Sequence, residues 1–513
     1  MFRSTGMISC ERFLLLAFVV FALSCFCENA PLLSASRLPE RDLRQEMLID
    51  ADHFELRLPE VKSLEQWEAR REFLREKLLL SAGLWPMPEK NPLKAKMFGE
   101  RAGDGFKVYK VYYESLPGYL ATGNLYLPTR GKGPYPAILS PHGHWQYGRL
   151  TNSESGSLPG RCIDFARMGF VVLNIDMVGY NDCFQLPHDE NKSRAQMVAD
   201  SPASYEPRYY RANFDFPVAR LYGFNLGGLQ ILNCIRGVDF LCSLSQVDTT
   251  RIGATGCSGG ASQTLMLMNA DDRIKVAAPV NIIGAAKHPG CRCENMPGLW
   301  LGMSTVELSA AFAPRPLLLL SATKDPWTNS FPEREMPIFK KYYTLYNAPG
   351  MVKNVHINAG HNYNASSRAA AYQWFCRHLK PGLPPVTDPV AVSTELKALG
   401  DLRVFPDKML PESAIRGREV INNWQEASGK TYRSMLPDSP AKMEIFAEVF
   451  RSRLAQVLAV EMPAGEELLS RLEKQTTQGG ITSSVYAIGR RGKGDCIRVE
   501  TLTGADSSAG TVL

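Results

Sequence analysis

Charge of one sign, histidine and long apolar runs are all scarce in this sequence. Lysine plus arginine (58) nearly balance aspartate plus glutamate (52), leaving +6 over 513 residues. That is too dilute for the basic stripe of a nucleic-acid surface, so no nucleic-acid partner is expected. No low-complexity tract and no short-period repeat occurs, which excludes solenoids and propellers. No stable membrane span is expected either, because a bilayer core needs about 20 apolar residues in a helix. The run 13–27 has fifteen residues broken only by Ser24 and is preceded by Arg3 and Arg12. It reads as a removable signal peptide, residues 1–27, and predicts a secreted or periplasmic protein, with a lipid anchor on Cys25 as the variant of that reading. No CxxC pair occurs. Removing the leader leaves nine of the twelve cysteines, an odd number, so some are expected to pair and at least one to stay a thiol. Two sequons begin at Asn191 and Asn364.

What is present is the balance of a globular chain, 45% hydrophobic and 21% charged, too long for one ordinary domain. Residues 63–84 predict an amphipathic helix capped by Ser63, within an N-terminal helical segment, 28–100, that packs on the main domain. Residues 106–114 and 119–127 predict an antiparallel hairpin around Pro117-Gly118. From 136 onward short apolar runs (136–140, 170–175, 251–256, 276–283, 316–321, 352–357) alternate with helical patterns, which predicts a mainly parallel sheet flanked by helices. The expected catalytic domain is 101–385, closed by the breaker 381–385. Residues 386–513 are expected to form a smaller mixed C-terminal region of unknown role. It holds a helix opened by Ser439-Pro440 and paired strands within 481–501. The apolar end 510–513 suggests the opening of a second, truncated sheet.

The chemistry sits at strand ends. Strand 251–255 runs into Gly256-Cys257-Ser258-Gly259-Gly260 and then into the helical run 261–270. This is a G-x-S-x-G turn in strand-to-helix context, where tight glycines lift Ser258 to a helix N-terminus. A serine hydroxyl needs a base held by a carboxylate. After the strand 316–321 comes Asp325, and after 352–357 comes His361, giving the chain order Ser, acid, His. Asp325 is assigned as the orienting acid, with Glu333 in reserve, and His361 as the general base; His356, inside its strand, reads as structural. Oxyanion donors are expected from the amide of Gly259 and from Gly143 or His144 in the loop after the first parallel strand. Trp145 and Tyr147 are candidates for a substrate wall. His142 and His144, with Cys291, Cys293 and Glu294, are metal-ligand residue types. The histidines, however, fall where an oxyanion loop is required, and the cysteines suit disulfides, Cys257 to Cys291 or Cys293 among them. No metal and no cofactor is expected. The long connections 176–217 and 283–307 are read as lids over the strand ends.

PHGH at 141–144, GCSGG at 256–260, APRPLLLLSATKD at 313–325 and NAGHNYN at 358–364 resemble the α/β-hydrolase superfamily, and within it the dienelactone hydrolase and acetyl xylan esterase-like secreted enzymes. The resemblance covers residues 100–380. It implies an α/β-hydrolase fold and a cofactor-free serine esterase acting on acylated carbohydrate, or another small ester, through an acyl-serine intermediate. Glucuronoyl esterases carry an arginine after the nucleophile in a similar GCS context. This chain has Gly259, which argues against that activity. Two other readings compete: a prolyl-oligopeptidase-type peptidase, for which the preceding propeller is missing, and a non-catalytic envelope protein on the same scaffold, against which the complete triad stands.

Overall fold

In the computed structural model the described residues are 38–43, 58–145, 147–186, 217–284, 291, 293–387, 400–458, 463 and 465–504. The expected leader, the sequon at Asn191, residues 187–216 of the first expected lid, 285–290 and 292 of the second, and the tail 510–513 lie outside them.

Apolar residues that alternate along a strand can serve two cores only if both faces of the sheet are covered. The central strands here do so. β1 (Lys96–Gly103), β2 (Phe106–Leu116), β3 (Tyr119–Pro128), β4 (Tyr135–Leu139), β5 (Val171–Ile175), β6 (Val247–Cys257), β7 (Ile274–Val280), β8 (Leu317–Ala322) and β9 (Val352–Ile357) form one sheet in the order β1-β2-β3-β5-β4-β6-β7-β8-β9. The pairings from β1 to β5 are antiparallel, and those from β5 through β9 are parallel. In β8, Leu317 and Leu319 join one buried cluster while Leu318 and Leu320 join the other; β5 splits Val171 and Leu173 from Val172 in the same way. Each fully buried side chain of this kind contributes about 1.5–3 kcal/mol.

The first cluster is completed by α1 (Leu64–Ser81), α3 (Leu226–Ser243) and α4 (Gly259–Ala270), the second by α2 (Leu158–Arg167) and α5 (Ala365–Leu379). Ser63 caps α1 as expected, its hydroxyl accepting the Gln66 N–H. Every residue of α4 is buried, so the helix behind the G-x-S-x-G turn is a core element whose position is fixed from all sides. This is the mainly parallel, helix-flanked sheet that the strand alternation predicts, and the α/β-hydrolase architecture that the resemblance implies.

The expected division at residue 385 is displaced. The described residues separate into two compact units, one within 58–458 and the other made of 38–43 with 463 and 465–504. Residues 400–458 pack with the large sheet because two polar stitches and an aromatic stack hold them. Arg149, fully buried, donates through Nε to Asn124 (2.9 Å), pairs with Asp176 and with Asp182 (2.7 Å), and donates to the Leu402 carbonyl (3.1 Å). Asp182 in turn accepts the amides of Val404 (2.8 Å) and Phe405 (2.9 Å). On α6 (Arg418–Ser434), Trp424 stacks on Phe224 at 4.3 Å between ring centres. α7 (Pro440–Leu458), the helix expected after Ser439, reaches α1, where Arg453 pairs with Glu76 and Gln456 donates to the same carboxylate at 2.9 Å.

Removing the Arg149 cation would leave two buried carboxylates facing each other, and burial already holds the Asp176 carboxyl above its usual range. Arg149→Met is therefore expected to cost about 3–5 kcal/mol, read as a lowered denaturant midpoint at neutral pH.

The second unit is a small antiparallel sheet, β10 (Leu468–Gln478), β11 (Ile481–Arg490) and β12 (Ile497–Gly504), with Leu38, Leu469 and Ala487 as its core. β11 and β12 fall in the stretch where paired strands were expected, and β10 is additional. Among the described residues no helix is long and apolar enough to cross a membrane.

Candidate active site

Parallel strands put their carboxyl ends on one edge, and loops leaving adjacent strands meet there. β4, β6, β8 and β9 supply the loops that carry the residues singled out in the sequence. Ser258 follows β6 directly and caps α4 with φ 58° and ψ −125°. A non-glycine residue held at positive φ stores about 1–3 kcal/mol of strain, and here packing enforces it. A β-carbon on Gly256 would lie 2.5 Å from the Gly260 carbonyl, and one on Gly260 would lie 2.5 Å from the Pro141 carbonyl oxygen. The Ser258 N–H donates to the Val280 carbonyl (3.0 Å), and its own carbonyl accepts the amides of Ala261 (2.8 Å) and Ser262 (3.0 Å). Gly259 and Gly260 are the first residues of α4, whose amides have no acceptor within the helix, so a partial positive charge faces the space beside the serine.

Asp325 is fully buried and its carboxylate holds three partners, the longest contact being the Trp327 amide, which donates to Oδ1 at 3.5 Å. The same Oδ1 faces His361 Nδ1 at 3.1 Å, and Oδ2 accepts the Thr328 hydroxyl at 2.5 Å. The Trp327 ring lies 5.3 Å from the imidazole, centre to centre. His361 itself is a quarter exposed. Among the described residues no hydrogen bond joins its imidazole to the Ser258 hydroxyl; in ligand-free enzymes such catalytic bonds often tighten only when substrate binds. Glu333, the reserve acid, is exposed on the short helix Phe331–Arg334 and makes no contact with His361. His356 binds the Ser321 hydroxyl at 2.7 Å, as a structural residue would.

The loop after β4 is held against the turn. A β-carbon on Gly143 would sit 2.6 Å from the Cys257 carbonyl oxygen and 3.1 Å from the Ser258 β-carbon, so only glycine fits. His142 is fully buried: Nδ1 bonds the Gly143 carbonyl at 2.7 Å, and Nε2 accepts the Met177 N–H at 2.9 Å. Burial lowers this imidazole to about 3, so it is a neutral brace. The His144 ring covers Gly259, its atoms 2.5–3.0 Å from where a β-carbon on that glycine would lie. Trp145 packs over Gly156 and is partly buried against the second cluster, whereas Tyr147 is half exposed. Of the two, Tyr147 leaves more of its side chain exposed.

All nine described cysteines are thiols, so the expected pairing is not made. Cys257 donates to the Asn362 carbonyl (3.2 Å) within the cluster of α2 and α5, and Cys293 lies in the other cluster, so the bridge bracing the turn is absent. What the fold brings together instead is His144, Cys291, Cys293 and Glu294. Hydrogen bonding from Cys293 and then from His144 lowers the Cys291 thiol to about 5, against the opposing effect of burial; burial raises Cys293 and Glu294. Sequence reasoning did not single out Thr328 or Trp327. The signal available was an acid followed three residues later by a hydroxyl, the spacing of a local side-chain turn.

These features define the chain as an α/β-hydrolase. Residues 93–282 match the acetyl xylan esterase (AXE1) family. Among solved structures the chain is similar to Methylesterase BT1017, at 28% identity over 73% of this chain and 78% of that one, with a TM-score of 0.57. Among curated proteins it is similar to the Putative hydrolase YtaP of Bacillus subtilis (strain 168), 25% identical over 232 residues, which are 42% of this chain and 67% of that protein. With the fold, these similarities support a carboxylic ester hydrolase of acetyl xylan esterase type.

Proposed function

We propose that this protein is an exported serine esterase that removes acyl groups, acetyl first among them, from carbohydrate. The observation that carries the reading is the buried Asp325 bonded to His361 on the same sheet edge as the strained Ser258. In the proposed reaction His361 takes the Ser258 proton as Oγ attacks the acyl carbon. The oxyanion sits on the Gly259 amide and an amide of Gly143 or His144. The protonated imidazole then gives its proton to the leaving sugar hydroxyl, and water, activated by the same imidazole, releases the acid. Export is read from the charged-then-apolar segment 1–27.

A second reading has its own support, since the structural relative at 28% identity is named a methylesterase. There the acyl carbon belongs to a sugar carboxylate and the leaving group is methanol. The two are separated by product. The purified protein is incubated with acetylated xylan and with a methyl-esterified polyuronate, and acetate and methanol are both measured. Acetate release is expected. Methanol without acetate would replace the acetyl reading by the methyl one, and release of neither, with no fluorophosphonate adduct on Ser258, would overturn the esterase mechanism.

A further inference from the structure

Beside the candidate nucleophile lies a side-chain cluster that the proposed reaction does not use. One ligand-type atom from each of His144, Cys291, Cys293 and Glu294 lies within 4.8 Å of the other three. His144 Nε2 is 3.2 Å from Cys293 Sγ, and the two sulfurs are 2.7 Å apart. Cys293 and Glu294 are each 3% exposed. Each of the four offers one ligand atom to the same point, and once deprotonated all four can donate an electron pair to a shared cation.

We propose that these four residues bind one transition-metal dication, zinc by chemical preference. Two thiolates, one imidazole and one carboxylate are the soft and borderline donors that select this ion, and four of them close a tetrahedron. At ordinary zinc bond lengths two sulfurs of a tetrahedral site lie about 3.8 Å apart. Binding therefore opens the Cys291–Cys293 separation by about 1 Å, while the 4.8 Å limit of the cluster already brackets the remaining ligand spacings. An outer layer is also in place: Ser262, on the first turn of α4, donates to Glu294 Oε1 at 2.9 Å, and the Cys291 amide donates to the other oxygen at 3.3 Å. Oriented outer partners of this kind are what metal ligands require.

With four protein ligands the ion keeps no open position, so its role is positional and it is not a Lewis acid for the ester. It ties the 291–294 turn to the loop after β4 and to the start of α4, and it fixes the His144 ring over Gly259. Any larger residue at 259 would push that ring off the metal, which gives a physical reason for glycine after the serine.

The test uses the full-length protein, reduced, stripped with chelator and titrated with Zn²⁺ and separately with Co²⁺. Expected are one equivalent of zinc per chain by elemental analysis and a thiolate-to-cobalt charge-transfer band. Cys291→Ser/Cys293→Ser is expected to abolish both, Glu294→Gln to weaken zinc affinity by about 10- to 100-fold, and Cys242→Ser, a half-buried cysteine in α3, to change neither. If the double variant fails to fold, Glu294→Gln carries the comparison. Reduced protein that takes up no metal, uptake unchanged in the folded double variant or in Glu294→Gln, or a Cys291–Cys293 disulfide in protein made and purified with zinc would each overturn the proposal. The readout is metal content, so it stands or falls separately from the esterase mechanism.

Discussion

Ser258→Ala is expected to lower ester turnover by at least about 10⁴-fold and to abolish fluorophosphonate labelling, because no other hydroxyl stands at the end of β6 to replace the attacking oxygen. What survives is the rate supplied by oriented amides at the start of α4, which polarise a bound ester for attack by water. Stability is expected to move by no more than about 0.5 kcal/mol, since among the described residues the hydroxyl has no protein hydrogen bond to lose. A companion variant isolates the backbone. Alanine keeps a β-carbon at φ 58° and keeps the strain, whereas Ser258→Gly removes it and is expected to be more stable than Ser258→Ala by about 1 kcal/mol. Both variants should be equally inactive. Turnover retained in the alanine variant would remove Ser258 from the mechanism, and equal stability of the two would remove the argument that the turn is strained.

The centre of the sheet was legible because its inner strands are covered on both faces and so carry continuous apolar runs; β4, β5 and β8 lie within a residue or two of where those runs begin and end. β1 was not legible. Its residues are mostly exposed and include Glu100, Arg101 and a bulge between Phe98 and Arg101, so no alternation marks it, and it exists only because β2 offers an edge. The same reason hid the true extent of the large unit. α6 buries Val420, Ile421 and Trp424 on a helix otherwise rich in charge, and the stitch through Arg149, Asp182 and Leu402 joins residues more than two hundred positions apart in sequence. No local pattern announces buried hydrogen bonds of that separation.

The placement of Ser258, Asp325 and His361 on loops at the sheet edge was legible because each lies shortly after a strand, and strand ends are where a parallel sheet presents its loops. The cysteines were misread for a related reason. Spacing and compartment speak to whether thiols can oxidise, but only burial decides whether they meet. Cys162, Cys183, Cys234 and Cys257 are each fully buried among different neighbours, and burial pushes the thiols of Cys162 and Cys183 up to about 12. They behave as small apolar residues. Cys291 and Cys293 meet because a single residue separates them on a tight turn, and His144 reaches them only because the loop after β4 is pressed onto the turn at Ser258.

Asp325→Asn is expected to lower turnover by about 10³- to 10⁴-fold with little change in fold stability, and the reason lies in the two side-chain bonds of the carboxylate. Oδ2 accepts the Thr328 hydroxyl and Oδ1 faces His361 Nδ1. An asparagine has one acceptor oxygen. If that oxygen stays with Thr328, the amide NH₂ faces the imidazole, and Nδ1 must become the acceptor. The ring proton then moves to Nε2, the nitrogen that has to take the proton from Ser258, and the base is lost although its position is unchanged. If the amide turns the other way, Thr328 faces a donor, and a buried hydroxyl must rotate to find a new acceptor. Thr328→Val in the Asp325→Asn background distinguishes the two cases. It frees the amide oxygen to face His361, so it should recover part of the lost turnover, whereas in the native background the same change removes a support of the acid and should lower turnover by about tenfold. Turnover by Asp325→Asn within threefold of the native protein would mean that another group orients His361, and the buried acid at the end of β8 would be structural only.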